Sequence, residues 1–349
     1  MFRPNPLRLL WLPVHYAVVA LATLAIAGGS LPLWCELVLS SLIGASFAGL
    51  TFLAHEALHG AIVRNRPLRR LIGWLGFLPF AVSPRLWEAW HNRGHHGNTN
   101  KPDIDPDAYP TLAAYNRSAL LRRMTDWVAP GRRRLAGVFS LLVGFSVQSC
   151  HMLLAARRQK FLSRGQHGLA LLESGGAIAA LLLLGWSIGP LPFLLAFVIP
   201  LVVANTIIMS LILTNHALSP HTHVNDPLIN SLSVSGPRFL EWLTLGFGFH
   251  VEHHLFPSMS ARHGREVRRV VRKLWPERYQ GMPYFRALRL LYRSPRVYRT
   301  DTVLIDPHKG ELWATLAPTP ATPAIATRVV IEQLGPKSIA KVVITSRSV

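Results

Sequence analysis

Eight of the sixteen histidines in this 349-residue chain fall in three clusters. They are His55-Glu56-Ala57-Leu58-His59, His91-Asn92-Arg93-Gly94-His95-His96 and His250-Val251-Glu252-His253-His254. Residues i and i+4 share one face of a helix. His55 and His59 can therefore reach one metal region, and His91 and His95 can do the same, with His96 turned aside. His250, His253 and His254 form a single stripe. Eight imidazoles gathered on one face cannot all be protonated cations, and metal binding is the economical explanation. His216, in Thr214-Asn215-His216, is a ninth candidate. Imidazole suits zinc, copper and iron. Structural zinc is normally satisfied by four ligands and catalytic zinc by three, so eight or nine histidines match two ions of higher coordination number. Two iron ions among mostly neutral nitrogen ligands can take up oxygen and form a strong oxidant. Glu56, Glu252, Asp103, Asp105 and Asp107 are candidates to orient the imidazoles, as is Asn92. The three aspartates read more simply as solvated loop charge. His15, His151, His167, His263 and His308 read as ordinary surface or hydrogen-bonded histidines, and His221 and His223 as loop residues.

Elements able to hold these clusters are long and apolar. Half of the residues are hydrophobic and only 15% are charged, against roughly 25% in soluble domains; mean hydropathy is +0.27. Leu7–Ala27 spans about 31 Å as helix, the thickness of a hydrocarbon core. Leu31–Leu53 follows after Gly28-Gly29-Ser30. Gly168–Ile188 and Leu191–Thr214 form a second pair joined by Gly189-Pro190. The segment Met1–Ala27 reads as a retained helix, its apolar run being too long for a signal peptide. Neither joining turn carries Lys or Arg. Arg3, Arg8, Arg64, Arg66, Arg69, Arg70, Arg157, Arg158, Lys160, Arg164 and the run Arg262–Lys273 flank the other ends. The positive-inside rule then puts both termini, both large loops and the histidine site in the cytoplasm. The formal charge of +20 is accounted for as orientation and lipid-facing charge, which leaves little support for nucleic acid. Cys35 and Cys150 are too few for a disulfide framework or thiolate site.

The fold expected is an all-α integral membrane protein with four transmembrane helices, about 7–27, 31–53, 168–188 and 191–214, and a cytoplasmic helical cap holding a histidine-rich di-metal site. Residues 1–299 make that domain. Ala136–Ala156 is a fifth apolar stretch, but it carries Ser146, Gln148, Ser149 and His151; it reads as a helix along the interface. If it crossed, the third cluster would lie opposite the first two. Leu71–Val82 is too short to span. Residues 300–349 read as a tail, with a linker at Ala317–Ala326 and a mobile segment or small strand pair at Thr327–Leu334 and Ile339–Thr345.

The three motifs, with paired spans between the first and last, resemble the histidine boxes of membrane fatty acid desaturases. The likeness runs from about residue 40 to 275, and includes Trp90, Asn92 and the stretch Asn98–Asp107. It implies a di-iron centre, oxygen as co-substrate, a long acyl chain on a lipid or thioester, and an external electron donor. The ligands it implies are His55, His59, His91, His95, His96, His250, His253 and His254, with His216 placed like an additional ligand of some members. A histidine at 250, where some members carry glutamine, argues against the subgroup that desaturates near the carboxyl end. No haem-binding HPGG signature is evident, so a separate ferredoxin or cytochrome b5-like donor is implied.

Two other classes fit less. The first motif matches the HExxH of zinc proteases, but no candidate span holds a third, acidic ligand, and six clustered histidines are left over. A transporter would place ligands within spans near the midplane, whereas these sit at or beyond span ends. Within the same chemistry, related hydroxylases, ketolases and alkane oxygenases share similar motifs.

Overall fold

The computed structural model describes residues 1–131 and 136–316 together with two strands, Thr327–Glu332 and Lys341–Ser346. Met1–Ala317 form one compact unit and Pro318–Val349 a second. In the second unit the two strands pair antiparallel, with Thr327 opposite Ser346. The linker expected at 317–326 lies outside the described residues.

The first unit is helical. A short 3-10 turn leads into α1, Trp11–Ala27. The backbone reverses at Gly28-Gly29, where Gly29 takes a φ of +64°, and α2, Leu33–Leu58, returns. α3 is Arg66–Phe77, α4 is Ala136–Ala155 and α5 is Arg164–Ile188. Gly189, at φ +86°, turns the chain into Pro190–Phe193, a π-helical turn at Leu194–Val198, and α6, Ile199–His216. α3 is, as expected, too short to span. Among the described residues, five helices are long and apolar enough to cross a membrane: Pro6–Ala27, Leu33–Leu58, Gly137–Ala155, Arg164–Ile188 and Pro190–His216. Gly137–Ala155 is the stretch expected to lie along the interface; its length and composition alone allow a crossing.

Lipid-facing and packed surfaces divide as the sequence allows. α5 shows its apolar side chains outward, with Leu172 and Trp186 exposed. α2 is buried on most sides, packed against α1, α3 and α6. Close approach rests on small residues. A Cβ at Gly44 would sit 2.6 Å from Cβ of Val203 on α6, and one at Gly76 would sit 2.6 Å from the Leu50 carbonyl. α2 and α6 are thereby held side by side, with His55 near the end of one and His216 at the end of the other.

The cap is made of short elements. Pro84–Trp87 runs into a π-helical segment, Glu88–His95, and then His96–Asn98. α7, His250–Leu255, carries the third motif, and α8, Gly264–Leu274, follows it. Ser233–Ser235 pairs parallel with Gly281–Pro283. Residues 300–316 belong to this unit: Val297–Thr300, Val303–Ile305 and Leu312–Ala314 form an antiparallel sheet, and Leu316 N–H donates to the Leu218 carbonyl at 2.9 Å.

Candidate metal centre

All nine candidate histidines converge. Their imidazoles form a group of five, His55, His59, His91, His96 and His253, and a group built on His95, His216 and His254, which His250 joins through its contacts with His216 and His254. In the first, Nε2 of His91 lies 3.2 Å from that of His55 and 3.1 Å from that of His96, and His96 and His253 meet Nε2 to Nε2 at 3.1 Å. Among the described residues His59 Nε2 is buried with no hydrogen-bond partner. In the second, Nε2 of His216 lies 3.2 Å from His95 and 2.6 Å from His250, and His250 lies 3.1 Å from His254.

The partition corrects one expectation. His91 and His95 do come together, in a third group with Asp107 whose ligand atoms lie within 4.8 Å of one another, so His91 stands between the two clusters; His96, expected to be turned aside, also meets His91. An α-helix aligns i with i+4, but the segment is π-helical. A wider turn brings i+5 back beneath i and separates the two adjacent histidines. The stripe at 250–254 likewise divides, with His253 in one group and His250 and His254 in the other.

Hydrogen bonding at the far side of each ring sets what the near side offers. His95 Nδ1 faces the Asp105 carboxylate at 3.1 Å, and His216 Nδ1 faces the Asn230 carbonyl at 3.2 Å. Both partners only accept, so both Nδ1 atoms carry the hydrogen. Thr99 spends its hydroxyl hydrogen on the His95 carbonyl at 3.0 Å, so it accepts from His254 Nδ1 at 3.2 Å. Their three Nε2 atoms are left pointing at one another and at His250, and all three offer lone pairs once a cation displaces the proton that Asp105 and Asp107 favour on His95. Lone pairs at such distances repel, and a cation among them resolves the conflict for every ring at once. The residues fit metal ions. Burial, reinforced by repulsion from neighbouring rings, holds His91, His96, His250 and His254 well below the ordinary histidine value, and His253 is lowered to about 3. They are neutral, as ligands must be.

The carboxylates behave differently from expectation. Glu56 pairs with Arg8 and accepts from Ser260 Oγ at 2.9 Å and Ala261 N–H at 3.1 Å. Glu252 accepts from Ser233 Oγ at 2.6 Å, Tyr279 OH at 2.7 Å and Arg268 Nε at 3.0 Å. Among the described residues neither meets a histidine ring. They tie the first and third motifs to neighbouring segments. Asn92 Oδ1 is buried without a partner among the described residues. Asp105 and Asp107, read as loop charge, are the acids at the centre. Burial opposes charge on His95, yet the two carboxylates outweigh it and lift the ring to about 9. Asp107 is raised to about 6 by burial, and it accepts from Gln148 Nε2 at 2.6 Å and Trp90 Nε1 at 2.9 Å. Asn100, at φ +53°, closes this loop: its N–H donates to Asp105 at 2.7 Å and its Nδ2 to the His216 carbonyl at 3.1 Å. Asparagine tolerates that left-handed geometry. Buried Arg296 donates to the Ala217 carbonyl at the end of α6, where a cation also suits the helix dipole. His221 stacks on Tyr298 at 3.5 Å, apart from both groups.

An apolar cavity meets the centre on the side of α2 and α6. Phe52, Trp87, Phe145, Ile208, Ile212 and Phe247 line it together with His55, His91, His95, His216 and His250. Its wall is hydrocarbon and aromatic, with Asp107 and Gln148 among its few polar members.

The sequence pattern of the fatty acid desaturase family matches residues 32–286. The chain is 26% identical over 271 residues, 70% of each protein, to an sn-1 acyl-lipid omega-3 desaturase (ferredoxin) of Synechocystis sp.. It is 25% identical to a probable fatty acid desaturase of Sorghum bicolor over 79% of this chain and 73% of that one. To a Delta(8)-fatty-acid desaturase of Helianthus annuus it is 26% identical, over 72% of this chain and 58% of the relative. The match covers all three histidine motifs and the helices between them, so the chain belongs to the fatty acid desaturase family, a family of oxidoreductases.

Proposed function

We propose that the protein introduces a double bond into a long acyl chain at two iron ions held by His55, His59, His91, His96 and His253 on one side and His95, His216, His250 and His254 on the other. The observation that carries this reading is the division of nine buried or half-buried imidazoles into two groups facing one apolar cavity. Bound iron supplies, with oxygen, the oxidising power that an unactivated methylene pair demands and that side-chain acids and bases lack. Overall, the two hydrogens lost from adjacent carbons, two electrons from a donor, two protons and one O2 give an alkene and two waters.

The protein's own residues bind, orient and exclude. Asp105, the Asn230 carbonyl and Thr99 hold His95, His216 and His254 with Nε2 inward. Phe52, Phe145, Ile208, Ile212 and Phe247 shape the space for the chain and keep water from it. The donor is external; the Synechocystis relative carries ferredoxin in its name, which favours that class, with a cytochrome b5-like protein as the other.

We read the topology as four crossings with the centre and both termini in the cytoplasm. α2 and α6 run toward one face, because His55 and His216 come together near their ends. That parity needs an odd number of crossings between them, so one of α4 and α5 crosses, and we take it to be α5. α4 is held at both ends by elements of the histidine side: Tyr292 OH donates to the Gly137 carbonyl at 3.0 Å, and His167 contacts the Leu153 carbonyl at 2.9 Å. Arginines gathered at the histidine side favour that face as the inner one.

Expression in a host of known lipid composition, followed by gas chromatography of its fatty acids, tests the reading. New double bonds support it; hydroxylated or keto products overturn it in favour of the related chemistry.

A further inference from the structure

The acyl cavity has an approach whose lining is unlike its interior. A cavity beside the start of α1 is lined by Arg8, Trp11, Arg238, Trp242, Arg262 and Arg265, with Glu241 as its acid. Two of these arginines are committed. Arg8 pairs with Glu56, and Arg265 with Glu241. Arg238 and Arg262 are exposed, and among the described residues neither meets a carboxylate. Two guanidinium groups without counter-charge in one concavity make an anion site, and their planar forks match the oxygens of a phosphate.

What surrounds the arginines is interfacial. Trp11 and Trp242 lie with rings 4.6 Å apart, and the short helix Arg238–Leu243 turns Phe239, 70% exposed, and Trp242, 57% exposed, outward. Exposed aromatics beside arginines mark the level of lipid headgroups. Inward, the same cavity shares Leu245, Gly246, Phe249 and Ala261 with a second one that reaches His55 and His253. The second shares Phe52, His55 and Phe247 with the cavity beneath the centre. The three linings thus overlap in turn, from the charged cavity through the one beside His55 and His253 to the apolar one.

We propose that Arg238 and Arg262 hold a phosphate-bearing headgroup of the acyl substrate at this mouth, so that its chain passes inward along Phe249, Phe52 and Phe247. This rests on the desaturase reading and adds the class of carrier. A phospholipid and an acyl coenzyme A both supply the phosphate; an uncharged glycolipid does not.

The test is titration calorimetry on the full-length protein in detergent with three probes: dihexanoyl phosphatidylglycerol, octanoyl coenzyme A and a dihexanoyl monogalactosyl diacylglycerol. At least one phosphate-bearing probe binds at least ~10-fold tighter than the galactolipid, as charge-assisted pairing to arginine requires. Whichever of the two binds tighter identifies the source of the phosphate. The double variant Arg238→Gln/Arg262→Gln loses that preference, while Arg238→Lys/Arg262→Lys keeps most of it. Equal binding of all three probes, or a preference that survives in the glutamine variant, overturns the proposal. Lipid profiling of the same preparation is a separate readout: a phosphate preference without new double bonds would sink the desaturase reading and leave the anion site standing.

Discussion

Asp105 shows at the scale of single residues what sequence spacing conveys and what it hides. The nine histidines were legible because their types are costly to cluster without purpose and their spacing fits helical faces. Asp105 sits in a loop, where no period links it to a ring, so it read as solvated charge; only the fold brings it against His95 Nδ1 at 3.1 Å. Its placement in Asn98–Asp107, directly after the second motif, was the one available signal. Partners that orient a ligating imidazole commonly contribute 10–100-fold in metal affinity, so Asp105→Asn should weaken iron retention by roughly 10–100-fold. Competition against a chelator, read by metal analysis, checks this; unchanged retention would remove Asp105 from the account. Glu56→Gln should instead leave the histidine geometry in place and act through the lost pairing with Arg8 and Ala261.

Secondary-structure elements carry the next set of consequences. The existence of the long helices was legible from their length and hydropathy, and α2 and α6 lie where the apolar runs put them. Their ends were less legible, because helix does not stop where the apolar run stops: α2 continues to Leu58 and carries His55 with it. The π-helical turn at Glu88–His95 was hidden, since a motif of this spacing is equally compatible with an α-helix. That turn assigns His91 and His96 to one group and His95 to the other. Inserting an alanine after Arg93, an exposed residue in the turn, should carry His95 and His96 one position round the axis from His91 and abolish activity with loss of bound iron. Arg93→Ala, which keeps the residue count, should retain both. Equal behaviour of the two variants would contradict the role given to the turn. At the α2–α6 contact, Gly44→Val places new carbons against Val203 and the Pro200 carbonyl. Overpacking of that kind costs about 1–3 kcal/mol, and a lowered melting temperature in detergent is the expected readout.

For the whole molecule, the class of protein was legible in composition: an apolar chain whose excess positive charge gathers at alternate span ends. The number of crossings was the harder matter, because α4 is as apolar as a span and its polar residues disclose their partners only in three dimensions. Ser146 and Gln148 meet Asn205 and Asp107, contacts between segments far apart in sequence. Four crossings predict that, in a chain freed of Cys35 and Cys150, cysteines placed at residues 64 and 272 react only with a reagent on the cytoplasmic side, and one at 189 only from outside. Opposite labelling of 64 and 272 would break the topology and the site together.

The central claim is that the two histidine groups each hold an iron ion. Metal analysis of purified, active full-length protein tests it most directly, with turnover measured on the same sample. About two iron ions per chain are expected, lost in parallel with activity on chelation and restored by ferrous iron. Full activity in iron-free material, or a single zinc in place of the pair, would contradict the account.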